Sequence, residues 1–142
     1  MRHGCLLLQT EAELEAAFTL VQQLRPQLTV EQYRSRLRQQ MERESFQAVG
    51  LFDQDELVAF GGFRIMTSLV HGKFVYVDDL VSDVNRRSRG YGGQMIAWIE
   101  EHARSQGCAQ LHLDSGVQRH QAHRFYFRER FEIVYYHFKK QL

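Results

Sequence analysis

The sequence predicts an α/β fold in which helices flank a mixed, mostly antiparallel sheet, and three observations predict it. Residues 46–82 hold three apolar, strand-like segments joined by tight turn signals, which implies antiparallel pairing. The last of these segments leads through a glycine-rich stretch into a helical pattern and then another strand-like run, as in a parallel crossover. Two helical patterns, each opened by a capping signature, come before all of them. With 142 residues the chain suffices for one domain with a substantial core and hardly for two, so a single domain over 1–142 is expected.

Residues 6–8 form a short apolar run that reads as a strand. Thr10 followed by Glu13 is a capping box, and Leu14, Phe18, Val21 and Leu24 then recur at helical spacing. Pro26 ends that helix, because proline disfavours the helical conformation in the residue before it. Thr29 and Gln32 repeat the capping pattern, and Tyr33, Leu37 and Met41 mark one face of a second helix. "FQAVGLF" and "ELVAFGGFRI" follow as strands with "DQD" as their turn, and His71-Gly72 turns the chain into the longest strand, 73–82. The helix after the glycines buries Met95, Ile96, Ile99 and Ala103, with Gly107 as its C-terminal cap. Residues 109–115 read as a strand, 118–130 as a helix and 131–140 as a closing strand.

Composition excludes several function classes. The formal net charge is +1, so no global field draws the chain to nucleic acid or membrane. No apolar run approaches a membrane span, and the three leucines near the N-terminus are too few for a signal peptide. Cys5 and Cys108 lack metal-type spacing and read as two thiols in a reducing cytoplasm, the expected location.

Residues 86–94, "RRSRGYGGQ", pack three arginines and three glycines between a strand and a helix. A helix N-terminus leaves backbone N–H groups unpaired and carries partial positive charge, and small residues let an anion approach them. The segment therefore reads as a phosphate or pyrophosphate site. It lacks the Gly-Lys-Ser/Thr ending of a triphosphate loop and the G-x-G-x-x-G spacing of a dinucleotide fold.

Instead, Arg87-Ser88-Arg89-Gly90-Tyr91-Gly92 resembles the coenzyme A signature R/Q-x-x-G-x-G/A of the GNAT superfamily of N-acetyltransferases. "AHRFYFRERF" (122–131) resembles that superfamily's later motif, A-x-x-F-Y-x-x-x-G-F, with Arg130 in place of the glycine. Arg119 stands where an asparagine is often found. The C-terminal stretch further resembles a subgroup that includes aminoalkylphosphonate acetyltransferases. The resemblance implies an acetyl-CoA-dependent transferase acting on a primary amine of a small molecule or peptide. A second copy of the chain is a further expected partner.

The same resemblance implies roles for individual residues. Backbone groups of Ser88, Arg89, Gly90, Tyr91, Gly92 and Gly93, with Arg87, would hold the pyrophosphate. Leu80, Val81 and Ser82 would pair with the pantetheine arm like an added strand. Tyr126 would protonate the leaving thiolate, a task suited to a phenol with an ordinary pKa of roughly 10. Asp78 would accept the amine's proton through water, while Asp79 ties down the backbone. Neighbours on a strand point to opposite faces, so at most one of the two should face a given cleft. Two rival readings remain: a metal-dependent hydrolase built on Asp114, His120 and His123, and a non-catalytic acyl-CoA-binding module of the same fold.

Overall fold

The computed structural model describes every residue except Ser88. The chain divides into two compact units, Met1–His112 and Leu113–Leu142. In order, the elements are β1 (Gly4–Leu7), α1 (Glu11–Ala16), α2 (Phe18–Leu24), α3 (Val30–Arg43), β2 (Phe46–Asp53), β3 (Glu56–Ser68), β4 (Gly72–Ser82), a 3-10 turn (Val84–Arg86), α4 (Tyr91–Ser105), β5 (Leu111–Leu113) and α5 (His120–Arg128). The five strands form one sheet in sequence order, and β1 to β4 are successively antiparallel.

Both capping boxes form: Thr10 accepts from the Glu13 N–H and Thr29 from the Gln32 N–H, with the Glu and Gln side chains returning the bond. The first helical pattern does not run unbroken to Pro26. Ala17, wholly buried, ends α1 and begins α2.

Side-chain alternation divides the apolar residues between the two faces of the sheet. Phe46, Ala48, Phe52 and Phe60 join Leu20, Val21, Tyr33 and Leu37 in the core under α2 and α3. On the other face, Gly61 makes room for α4: a Cβ there would lie 3.2 Å from Met95 and 3.3 Å from Ile99. Met95, Ile96 and Ile99 are at most 1% exposed. Burying each such side chain contributes about 1.5–3 kcal/mol, so the amphipathic stripe suffices to seat the helix.

One irregularity matters for everything downstream. Gly62 pairs with Asp79 but Phe63 pairs with Val77, so Asp78 is the extra residue of a β-bulge in β4.

In the second unit, α5 ends in a Schellman motif. The Phe131 N–H donates to Tyr126 O at 2.9 Å and the Arg130 N–H to Phe127 O at 3.0 Å. Arg130 sits at φ 69°, the left-handed region that favours glycine, at the position where the family motif has glycine. The expected closing strand does not form: residues 131–142 carry neither strand nor helix. Ile133, Tyr136 and Phe138 are 71%, 84% and 91% exposed. An apolar strand pattern needs a pairing edge, and this segment has no ladder partner in the sheet.

Arg130→Gly should relieve left-handed strain and raise stability by about 1 kcal/mol in urea denaturation; a loss of stability would show that Arg130 makes a compensating contact.

Candidate active site

Three features converge where β4 leaves the sheet. The first is the helix start. Gly90, at φ 75° and ψ 15°, is the N-cap of α4, and no side chain caps the helix. The first i→i−4 bond runs from the Gln94 N–H to Gly90 O at 3.1 Å, so the N–H groups of Tyr91, Gly92 and Gly93 have no partner of that kind. The tyrosine side chain points elsewhere: Tyr91, 6% exposed, donates its hydroxyl to Asp53 Oδ2 at 2.6 Å and ties α4 to the end of β2.

The arginines of the stretch divide their work. Arg86 pairs with Glu56 and, at 3.8 Å, with Asp83. Asp83 also accepts from the Asn85 N–H at 3.1 Å, and Gln23 accepts from the Val84 N–H at 2.9 Å. Arg86 therefore braces the turn. Arg87 and Arg89 are exposed and make no ion pair among the described residues. Ser88, expected to contribute its amide, lies outside the described residues. Orphan amides at a positive helix end beside uncommitted arginines fit a pyrophosphate.

The second feature is the end of β4. Leu80, Val81 and Ser82 pair on one side with Gly61, Phe60 and Ala59 of β3. On the other side β5 is three residues long, and its neighbour Gln110 meets β4 at Val75, where the Val75 N–H donates to Gln110 O at 3.1 Å. Leu80 to Ser82 lie beyond that reach, which leaves an edge for an extended ligand.

The third feature is a cleft of about 870 Å³ under the α2–α3 turn, floored by Tyr33, Phe46 and Phe60. Asp78 and Asp79 both line it, contrary to the expectation that only one would face any cleft. The bulge is the reason, since an inserted residue cancels the alternation of a regular strand. Their environments differ. Both Asp78 oxygens accept from Arg64, at 2.8 Å each. Asp79 Oδ1 accepts both Arg25 contacts, at 3.0 and 3.2 Å, while Oδ2 accepts no hydrogen bond among the described residues. Burial pushes the Asp79 carboxyl above its ordinary value of 3.8, against the pull of Arg25. Gly62 makes this arrangement possible: a Cβ there would sit 3.3 Å from Asp79 Oδ2 and 2.3 Å from Phe46 Cζ.

Sequence reasoning missed Arg25 and Arg64. A signal existed for Arg64, a charge inside an otherwise apolar strand; Arg25 showed only as the residue before proline. In the second unit, Tyr126 packs against Phe125 and Phe131 at ring separations of 5.3 and 5.5 Å. Two of the three hydrolase candidates are otherwise engaged there: Asp114 pairs with His137 at 2.8 Å and His123 Nε2 meets Gly116 O at 2.8 Å, while the His120 ring lies 6.1 Å from that of His123.

Residues 10–131 match the model of the acetyltransferase (GNAT) family. The chain is 31% identical over 134 residues to the uncharacterized N-acetyltransferase YhdJ of Bacillus subtilis (strain 168), covering 94% of each chain. It is 32% identical over 88 residues to the aminoalkylphosphonate N-acetyltransferase of Salmonella typhimurium, covering 61% of this chain and 57% of that one. The fold is also that of aminoglycoside N-acetyltransferase AAC(6')-Iy in complex with CoA, with a TM-score of 0.82, 15% identity, and coverage of 100% of this chain and 98% of that one. The chain belongs to the acetyltransferase (GNAT) family. Its activity is acetyl-CoA-dependent acyl transfer, and acetyl-CoA is its cosubstrate.

For this GNAT chain, Gly92→Val should block the approach of the pyrophosphate to the α4 amides. Calorimetry should show acetyl-CoA affinity at least tenfold lower, about 1.4 kcal/mol. Unchanged affinity in a folded variant would remove the glycine stretch from cofactor binding.

Proposed function

We propose that the protein acetylates the primary amine of a small molecule or peptide that enters the cleft beside the β4 bulge. The observation that carries this reading is the succession of three things along one stretch of chain: the half-buried Asp79 and the edge at Leu80 to Ser82 on β4, and the α4 amides that follow. When bound, acetyl-CoA supplies a thioester whose acetyl group passes to the amine. The residues that hold it are Leu80, Val81 and Ser82 along the strand edge, and Arg87, Ser88, Arg89, Gly90, Tyr91, Gly92 and Gly93 at the helix end.

The incoming amine must lose its proton, and the proton acceptor is Asp79 rather than Asp78. Arg64 occupies both Asp78 oxygens, so Asp78 positions the bulge. Asp79 keeps Oδ2 for a water or an amine, and burial strengthens it as a base. A base must be ionised to act, so the rate falls as pH drops through the raised Asp79 value. Tyr126 is the general acid. Its support is its place in the F-Y motif and the Schellman turn that fixes the end of its helix.

The two units act as one domain, since the family match runs across both. Two copies associate through the exposed apolar run after Phe131, which suits a homodimer. The enzyme works in the cytoplasm, where Cys5 and Cys108 stay free thiols. Among the described residues, no helix is long and apolar enough to cross a membrane.

The experiment is thiol release from acetyl-CoA across a panel of amines, followed by single-turnover transfer with Tyr126→Phe. That substitution keeps the ring and removes the hydroxyl. The expected result is a loss of roughly tenfold or more, with acetyl-CoA binding intact. Wild-type single-turnover rates across pH would take Tyr126 out of the mechanism.

A further inference from the structure

Residues 131–140, "FEIVYYHFKK", have the texture of a strand and no ladder in the sheet. Within the second unit one side of the run is engaged: His137 Nδ1 lies 2.8 Å from Asp114 Oδ2. Successive side chains of a strand point to opposite sides. In a strand, the side opposite His137 carries Glu132, Val134, Tyr136, Phe138 and Lys140. Val134, Tyr136 and Phe138 are 57%, 84% and 91% exposed, and the two charged residues are exposed as well. Among the described residues, none of these five forms an ion pair or a backbone hydrogen bond to another backbone group.

The order along that side is an acid, three apolar residues and a base, which is complementary to its own reverse. Two copies of one strand related by a two-fold axis pair antiparallel, with the axis normal to their common plane. Each residue then keeps the same side in both copies, so facing residues are an even number of positions apart and one residue faces its own copy. Centred on Tyr136, the pairing sets Glu132 against Lys140 at both ends and Val134 against Phe138 between them. Centring on Tyr135 sets Glu132 against Phe138, and centring on His137 sets it against Leu142. Glu132 cannot face Lys139 at all, because their spacing is odd. Opposite charges and aromatic–β-branched pairs are the cross-strand neighbours that favour a ladder. The symmetric register centred on Tyr136 supplies both kinds, and it pairs backbone groups that no ladder of the single chain pairs.

We propose that a second copy of this chain covers the run: residues 132–140 of the two copies pair as antiparallel strands about a two-fold axis at Tyr136. This rests on the reading that two copies associate through the run after Phe131, and it fixes which residues meet.

The test uses the full chain. Sedimentation equilibrium should show a dimer. Tyr136→Cys should form a 136–136 disulfide under mild oxidation, identified by peptide mass, because directly opposed positions lie within disulfide reach. Val134→Cys should not link to itself, since its two copies stand about 14 Å apart along the ladder. Mixed with Phe138→Cys, it should give the 134–138 link. Glu132→Lys and Lys140→Glu each place like charges at both ends and should weaken their own dimer about fivefold or more at low salt. An equimolar mixture of those two variants restores opposite charges at both ends and should associate as tightly as the wild type. A monomer at every concentration would overturn the proposal together with the association it rests on. A dimer without the 136–136 link, or a charge-variant mixture no tighter than either variant alone, would overturn the pairing and leave the association standing.

Discussion

The inserted residue in β4 is the constraint on which the site depends. A regular strand would send Asp78 and Asp79 to opposite faces, one of them into the α4 core among Met95, Ile96 and Ile99. A bare carboxylate there would cost several kcal/mol unless it were neutralised. The bulge turns both acids toward the α2–α3 side, where two arginines from different elements meet them: Arg25 from the end of α2 and Arg64 from β3. Gly62, across from the bulge, leaves the space that the turn of the strand requires. The same kink precedes the free edge at Leu80 to Ser82, so one insertion serves both the acidic cleft and the strand edge beside it.

The arginines sort by whether they already have a partner. Arg25, Arg64 and Arg86 each meet acidic side chains and hold local structure in place. Arg36, Arg87 and Arg89 are exposed and unpaired among the described residues. Exposed ion pairs contribute only about 0–1 kcal/mol, so uncommitted surface cations are no surprise one at a time. What gives these three weight is position. Two stand at the start of a helix with unpaired amides, and the third lines a cleft that also holds the half-buried Asp79. Tyr91 makes the first of these positions rigid, because its hydroxyl on Asp53 fixes the first turn of α4 to the sheet.

Local signals carried most of the fold in the sequence. The two capping boxes, the turn after Phe52 and the apolar stripe of α4 are short-range patterns with a mechanism, and each formed where it was read. The Gly-x-Gly stretch was legible for the same reason. The bulge was not, since an insertion in a ladder depends on the partner strand and Asp78-Asp79 reads the same with or without it. The break at Ala17 was hidden because alanine favours a helix and only tertiary burial marks the site. The C-terminal run misled in the opposite sense: its aromatic, β-branched texture is that of a strand, but pairing is a property of two segments and cannot be read from one.

The central claim is that the bulge gives its two acids different tasks, and one side-by-side measurement addresses it: single-turnover acetyl transfer and urea stability of Asp78→Asn and Asp79→Asn. The account predicts that Asp79→Asn slows transfer by about 100-fold or more while stability and acetyl-CoA affinity hold. Asp78→Asn should chiefly lower stability, because it leaves the half-buried Arg64 without its bidentate partner. Slow transfer with full stability in Asp78→Asn, together with normal transfer in Asp79→Asn, would contradict the account and return the proton acceptor to Asp78.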